Sequence, residues 1–114
     1  GPTELVRRCN RLAALLDARV RAALDLELLS PASLSVVNFR YRPTDRGLDE
    51  AALDDLNEKI SEAISARGEA HMPTTRIHGK TSLRACFLHY ENDESDVEHL
   101  IGLIRRFGGE LTRS

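Results

Sequence analysis

Three stretches of this 114-residue chain repeat apolar residues at spacings of three and four. That periodicity constrains the fold more than any other feature, because it commits each stretch to a helix with one buried stripe. In the first, Leu5, Cys9, Leu12, Leu16 and Val20 share a face, with Arg7, Arg8, Arg11, Asp17 and Arg19 on the solvated side. A helix over about residues 3–24 follows. The second stripe is Ala52, Leu53, Leu56, Ile60, Ala63 and Ile64, a helix over about 49–67. Gly68 stands where a helix end favours a left-handed residue. The third begins at Asp93, a good N-cap, with Asp96 three residues on as a partial capping box. It carries Val97, Leu100, Ile101, Ile104 and Phe107, and Gly108-Gly109 is expected to stop it.

The segments between are short and rich in β-branched or aromatic residues. Leu34 to Tyr41, with Val36, Val37, Phe39 and Tyr41, reads as a strand. Two more are expected over about 70–77 and 82–90, joined by a turn at His78-Gly79-Lys80-Thr81. Pro73 makes the first of these an edge or bulged strand. Ser30-Pro31 reads as the end of the connection after the first helix. The order α-β-α-β-β-α predicts an α+β fold: a small antiparallel or mixed three-stranded sheet with helices on one face. Its other face is left uncovered, and the chain could dock there on something larger.

The length sets one domain, residues 3–114, with Gly1-Pro2 read as a scar left by a tag-removing protease. A formal net charge of -2 argues against a strongly basic nucleic-acid binder. Only 4% aromatic residues and no Trp argue against a base-stacking platform. No apolar run approaches the roughly 20 residues of a membrane span, and no signal-peptide core is visible. Cys9 and Cys86 show no disulfide spacing, so a cytoplasmic protein with reduced thiols is expected.

Arg84 is the unusual residue. It interrupts Leu83-Arg84-Ala85-Cys86-Phe87-Leu88, a run that reads as a central strand apolar on both faces, where an unpaired charge is costly. Two readings stand: Arg84 ties down a carbonyl or carboxylate of its own domain, or its planar fork binds a substrate carboxylate. His71, His78, His89 and His99 lack the spacing of a zinc motif, so surface or strand-end histidines are expected and no metal. Cys86 alternates into an apolar strand and reads as an inert buried thiol rather than a nucleophile, and Cys9 as part of the first helix's core stripe. No phosphate-binding glycine motif occurs. The acidic run Glu91 to Asp96 lacks the spacing of a calcium loop and suits a helix N-terminus. Arg7, Arg8 and Arg11 read as a solvated face. Unaided, these residues describe an α+β domain with one odd arginine.

Taken together, several segments resemble the C-terminal part of the group II pyridoxal-phosphate (PLP)-dependent amino acid decarboxylases, which include aromatic amino acid, glutamate and diaminobutyrate decarboxylases. Leu34 to Tyr41 is similar to a strand of that family, and Leu48 to Asn57 to the helix after it. Thr74 to Phe87 resembles the family's hairpin, which ends in Leu-Arg. Asp93 to Gly108 resembles the terminal helix, and the first helix with Glu27 to Pro31 resembles the exit from the large domain. His89-Tyr90-Glu91 departs from the Asn-Pro common there, which affects the local turn.

The resemblance implies the small C-terminal domain of a fold-type I PLP enzyme, packed on a large PLP-binding domain within a homodimer. It implies that Arg84 matches an arginine that holds a substrate carboxylate in glutamate decarboxylases, so Arg84 becomes the substrate-binding candidate. It also implies that the cofactor lysine, its neighbouring histidine and the aspartate facing the pyridine nitrogen belong to the large domain. Lys59 lies on a helix face and Lys80 in a turn, so neither offers the desolvated site that Schiff-base chemistry needs. The expectation is therefore a fragment of a carboxy-lyase (no catalytic, cofactor-binding or metal residue of its own) that helps close the parent's active site. The alternative is a standalone protein-interaction module with the decarboxylase-tail fold, or a small subunit of a split PLP enzyme.

Overall fold

The computed structural model describes residues 2–33, 35–68, 70–87 and 92–113. The elements are α1 (Pro2–Ala22), β1 (Leu26–Ser33), β2 (Val36–Tyr41), α2 (Glu50–Ala66), β3 (Thr74–Ile77), β4 (Lys80–Cys86) and α3 (Glu94–Thr112). All pairings are antiparallel and the strand order is β1-β2-β4-β3. The fold is α+β as expected, but the sheet has four strands, not three.

The additional strand is β1, in the stretch read as a connection. Its alternation is broken twice, by register shifts between Leu28 and Ser30 and between Ser30 and Ser33, so period-two patterning fails there. Pro31 is tolerated because β1 is an edge strand whose outer side needs no ladder donor. β3 is shorter than expected and begins just after Pro73, whose carbonyl accepts from the Arg84 backbone N–H at 2.9 Å. The His78-Gly79 turn has positive φ at both residues (52° and 77°), the pattern of a tight two-residue hairpin. The end of the last expected strand, including His89, lies outside the described residues.

The core sits on one face of the sheet. Val37, Phe39, Tyr41, Leu83 and Ala85 point to it and meet Leu12 and Leu16 of α1, Ile60 and Ile64 of α2, and Ile104 of α3. The three periodic stripes found this core together with the inward residues of β2 and β4. Two polar side chains, Asn57 buried and Asp54 half-buried, pin α2 to the sheet. The Asn57 side chain accepts from the Tyr41 N–H (2.8 Å) and donates to the Tyr41 carbonyl (3.0 Å). The Asp54 carboxylate accepts from the Thr81 N–H (2.8 Å), which holds it below the usual carboxylate range, with Arg76 adding to the effect against some desolvation.

At Asp93 the capping box is complete, with the side chains of Asp93 and Asp96 each bonding the other end. The Gly108-Gly109 pair does not stop α3, which runs to Thr112. Gly108 serves close packing instead: a Cβ there would lie 2.5 Å from Tyr41 Cε2. Gly68 adopts φ +67° after α2, as a helix terminus asks.

Candidate functional site

The face of the sheet away from the helices carries two cross-strand rows. Glu27 of β1 stands opposite Arg40 of β2. One step along, Ser30 of β1 stands opposite Asn38 of β2, which stands opposite Arg84 of β4. Side chains two residues apart on a strand share a face, so the arginines are near neighbours with different surroundings.

Arg40 is 2% exposed. Its Nε donates to Glu27 Oε1 at 2.7 Å, and Nη1 and Nη2 donate to the two oxygens of Glu50 at 3.0 and 3.4 Å. Lys80 stands 3.7 Å from both carboxylates. Burial works against the Arg40 charge, but the bonds to Glu50 and Glu27 outweigh it and raise its pKa above the ordinary value. Glu50 is in turn held below the usual carboxylate range by Arg40. Sequence reasoning passed over Arg40, because Glu27 becomes its partner only once β1 exists.

Arg84 is exposed, and among the described residues its side chain makes no hydrogen bond or ion pair. This corrects the expectation of a strand buried on both faces. β4 is central, but Arg84 and Cys86 are exposed while Leu83, Ala85 and Phe87 are buried. Apolar composition hid an ordinary one-sided alternation. Cys86 is thus an exposed free thiol, not the buried one expected, whereas Cys9 is buried in the core.

Beside Arg84 the Asn38 amide is only half satisfied. Its Nδ2 lies 3.2 Å from Ser30 Oγ, while Oδ1 is closed to water and has no partner among the described residues. Past the end of β4 a cavity of about 500 Å³ has apolar walls of Met72, Phe87 and Leu100, with His71, Cys86 and His99 on its lining. The fold thus brings together residues far apart in sequence. Among the described residues no three His, Cys, Asp or Glu side chains are placed to hold a metal ion. His78 stays apart in the hairpin turn.

The two lysines do not suit a PLP lysine. Lys59 is 55% exposed and pairs with Asp55 at 2.9 Å, and Lys80 faces Glu27 and Glu50. Both lie beside carboxylates with part of the side chain in solvent, not in the apolar pocket that Schiff-base chemistry needs.

A small antiparallel sheet with helices on one face, and on the other an arginine unpaired among the described residues, defines the class: an α+β domain with a chemically open sheet face. No protein-family profile matches the chain. The aromatic-L-amino-acid decarboxylase of Bacillus atrophaeus is 27% identical over 103 residues, 90% of this chain and 21% of that protein. The structure of the glutamate decarboxylase domain of a Vibrio parahaemolyticus diaminobutyrate-pyruvate transaminase and L-2,4-diaminobutyrate decarboxylase is 28% identical. It superposes with a TM-score of 0.83 over 94% of this chain and 22% of that one. Oryza sativa TDC, solved with PLP, shares the fold at a TM-score of 0.86 and 23% identity, over 96% of this chain and 24% of that one. The chain spans about a fifth of the curated relative's length. It resembles the C-terminal part of the group II PLP-dependent amino acid decarboxylases. No described helix is long and apolar enough to cross a membrane.

Proposed function

We propose that this chain is the small C-terminal domain of a PLP-dependent amino acid decarboxylase, and that Arg84 binds a carboxylate of the substrate. The observation that carries this reading is Arg84 itself. It is an exposed guanidinium without a partner among the described residues, on the open sheet face of a chain whose relatives are decarboxylases. A planar fork meets a carboxylate with two parallel hydrogen bonds, which an ammonium cannot do.

In this reading the open sheet face packs on a large PLP-binding domain of the same protein, within a homodimer. The domain helps to close the active site over the bound amino acid. PLP, held by the large domain, supplies the electron sink for loss of carbon dioxide. This chain contributes binding and orientation through Arg84, and excludes water as its sheet face is covered. Mixed with PLP and amino acids, the 114-residue chain alone is expected to release no carbon dioxide.

Two experiments test the proposal. In the full-length protein, Arg84→Ala is expected to raise KM or lower kcat, costing roughly ten- to hundredfold in kcat/KM, the worth of a hydrogen bond to a charged group. The protein should stay folded, with the thermal midpoint lowered by no more than a few degrees. Arg84→Lys should fall between, keeping the charge but not the fork. Unchanged kinetics in both variants would refute the site role. A blot of the source organism with an antibody to this domain should give a band several-fold heavier than 12.7 kDa. A band at that mass would mean a free domain.

A further inference from the structure

We propose that Asn38 is a positioning residue for Arg84: the unpaired Asn38 oxygen takes an N–H of the Arg84 guanidinium and leaves the rest of the fork facing outward for a carboxylate. The use made of that fork rests on the reading of Arg84 given above. The structure holds no bond between the two among the described residues; it gives their opposite register and an acceptor without a donor, and the pairing forms by a rotation of the exposed Arg84 side chain.

Asn38 Oδ1 is closed to water and has no hydrogen-bond partner among the described residues. A buried amide oxygen in that state is uncommon and calls for a donor. Water cannot reach it, and a docking partner meets the same obstruction, so the donor is a neighbouring side chain of this chain. Arg84 is directly opposite Asn38 in the β2–β4 register. Opposite side chains on one face of an antiparallel pair have Cβ atoms about 4.5–5.5 Å apart, within easy reach of an arginine. The other arginine close by on this face, Arg40, already has each of its three guanidinium nitrogens bonded to Glu27 or Glu50. The Ser30 hydroxyl accepts from Asn38 Nδ2 and so holds the amide with its oxygen free. Ser30, Asn38 and Arg84 thus form a polar line across three strands whose last member reaches solvent.

An arginine has five N–H groups. Spending one on Asn38 leaves enough for a bidentate bond to a carboxylate, and it restricts a side chain that otherwise loses much rotamer freedom on binding. Asn38 never touches the substrate in this arrangement and acts through Arg84.

The test uses the 114-residue chain with nitrogen-15-labelled arginine and acetate as the probe. The Arg84 Nε–H signal is assigned by its loss in Arg84→Lys. In the wild type its hydrogen should exchange severalfold more slowly than that of exposed Arg7. Asn38→Leu, similar in size but without an acceptor, should bring Arg84 to the Arg7 rate and weaken acetate binding. Asn38→Asp keeps an acceptor and adds charge, so it should slow exchange further while also weakening acetate binding, because the guanidinium is then neutralised. A loss of packing alone would not move these variants in opposite directions. Equal exchange of Arg84 and Arg7 in the wild type, or no change in Asn38→Leu, would overturn the pairing. If Asn38→Leu does not fold, Asn38→Asp decides by itself, since unchanged exchange there overturns the pairing too. Acetate that leaves Arg84 unmoved in every variant counts against the carboxylate reading and leaves the pairing, read from exchange, standing.

Discussion

Arg40 and Arg84 lie on the same face of the same sheet, one row apart, and have opposite fates. Arg40 is enclosed by two glutamates, with a lysine beyond them, and each of its three guanidinium nitrogens donates to a carboxylate. Arg84 has no such partners and is exposed. Only the second has hydrogen-bonding capacity left for a ligand. The number of charges on a surface thus says little about binding. What matters is which of them the fold has already satisfied.

The largest effect expected from breaking this contrast is on stability. Arg40→Ala should cost about 2–3 kcal/mol in urea unfolding, less than the loss of one partner from a fully buried pair, because the Glu50 side chain is 60% exposed. Arg84→Ala should cost less, about 1 kcal/mol at most, because it removes an exposed side chain and only the single hydrogen bond to Asn38 proposed above. Equal losses in the two variants would remove the distinction between the rows.

Next in size is a contrast within α3. Gly108→Ala pushes a methyl group into the Tyr41 ring at the end of β2 and should cost about 1–3 kcal/mol. Gly109→Ala meets nothing within 4 Å and should be neutral or gain up to about 1 kcal/mol from helix propensity. Thermal unfolding of the two variants measures both.

The smallest effect is in pH dependence. Glu50 titrates below the usual carboxylate range when folded, because Arg40 favours its charged form. A lowered folded pKa adds stability above the unfolded pKa, and that stability is lost as pH falls through the folded one. The gap between wild type and Arg40→Ala should therefore narrow as pH is lowered into and below the carboxylate range. The gap between wild type and Arg84→Ala should stay flat. A widening of the Arg40 gap in acid would contradict the assigned ion pairs.

Much of the fold was legible because periodicity is a local property of the chain. The stripe of Leu12, Leu16 and Val20, the one from Leu53 to Ile64 and the one from Val97 to Phe107 each mark a buried helix face without any partner being known. β1 was not legible, because its register shifts and Pro31 break the pattern that a strand needs in order to be seen. The candidate site was half legible. Arg84 stood out as a charge in an apolar run, but for a reason the structure removes, since its side of β4 is exposed. Asn38 carried no signal at all. An asparagine in a strand is unremarkable until its neighbours across the sheet are known.

By itself the sequence determined the helices, the caps at Asp93 and Gly68, the hairpin turn at His78-Gly79 and a resemblance spread over most of the chain. These depend on spacing and on residues close together in the chain. Only the tertiary structure decided that β1 pairs with β2, that Gly108 makes room for Tyr41, that Arg40 is closed and that Arg84 is open. Each of those depends on groups brought together from distant segments. Whether a polar atom is satisfied is a property of its neighbours in space, and hydrogen bonding acts over a few ångströms whatever the separation along the chain.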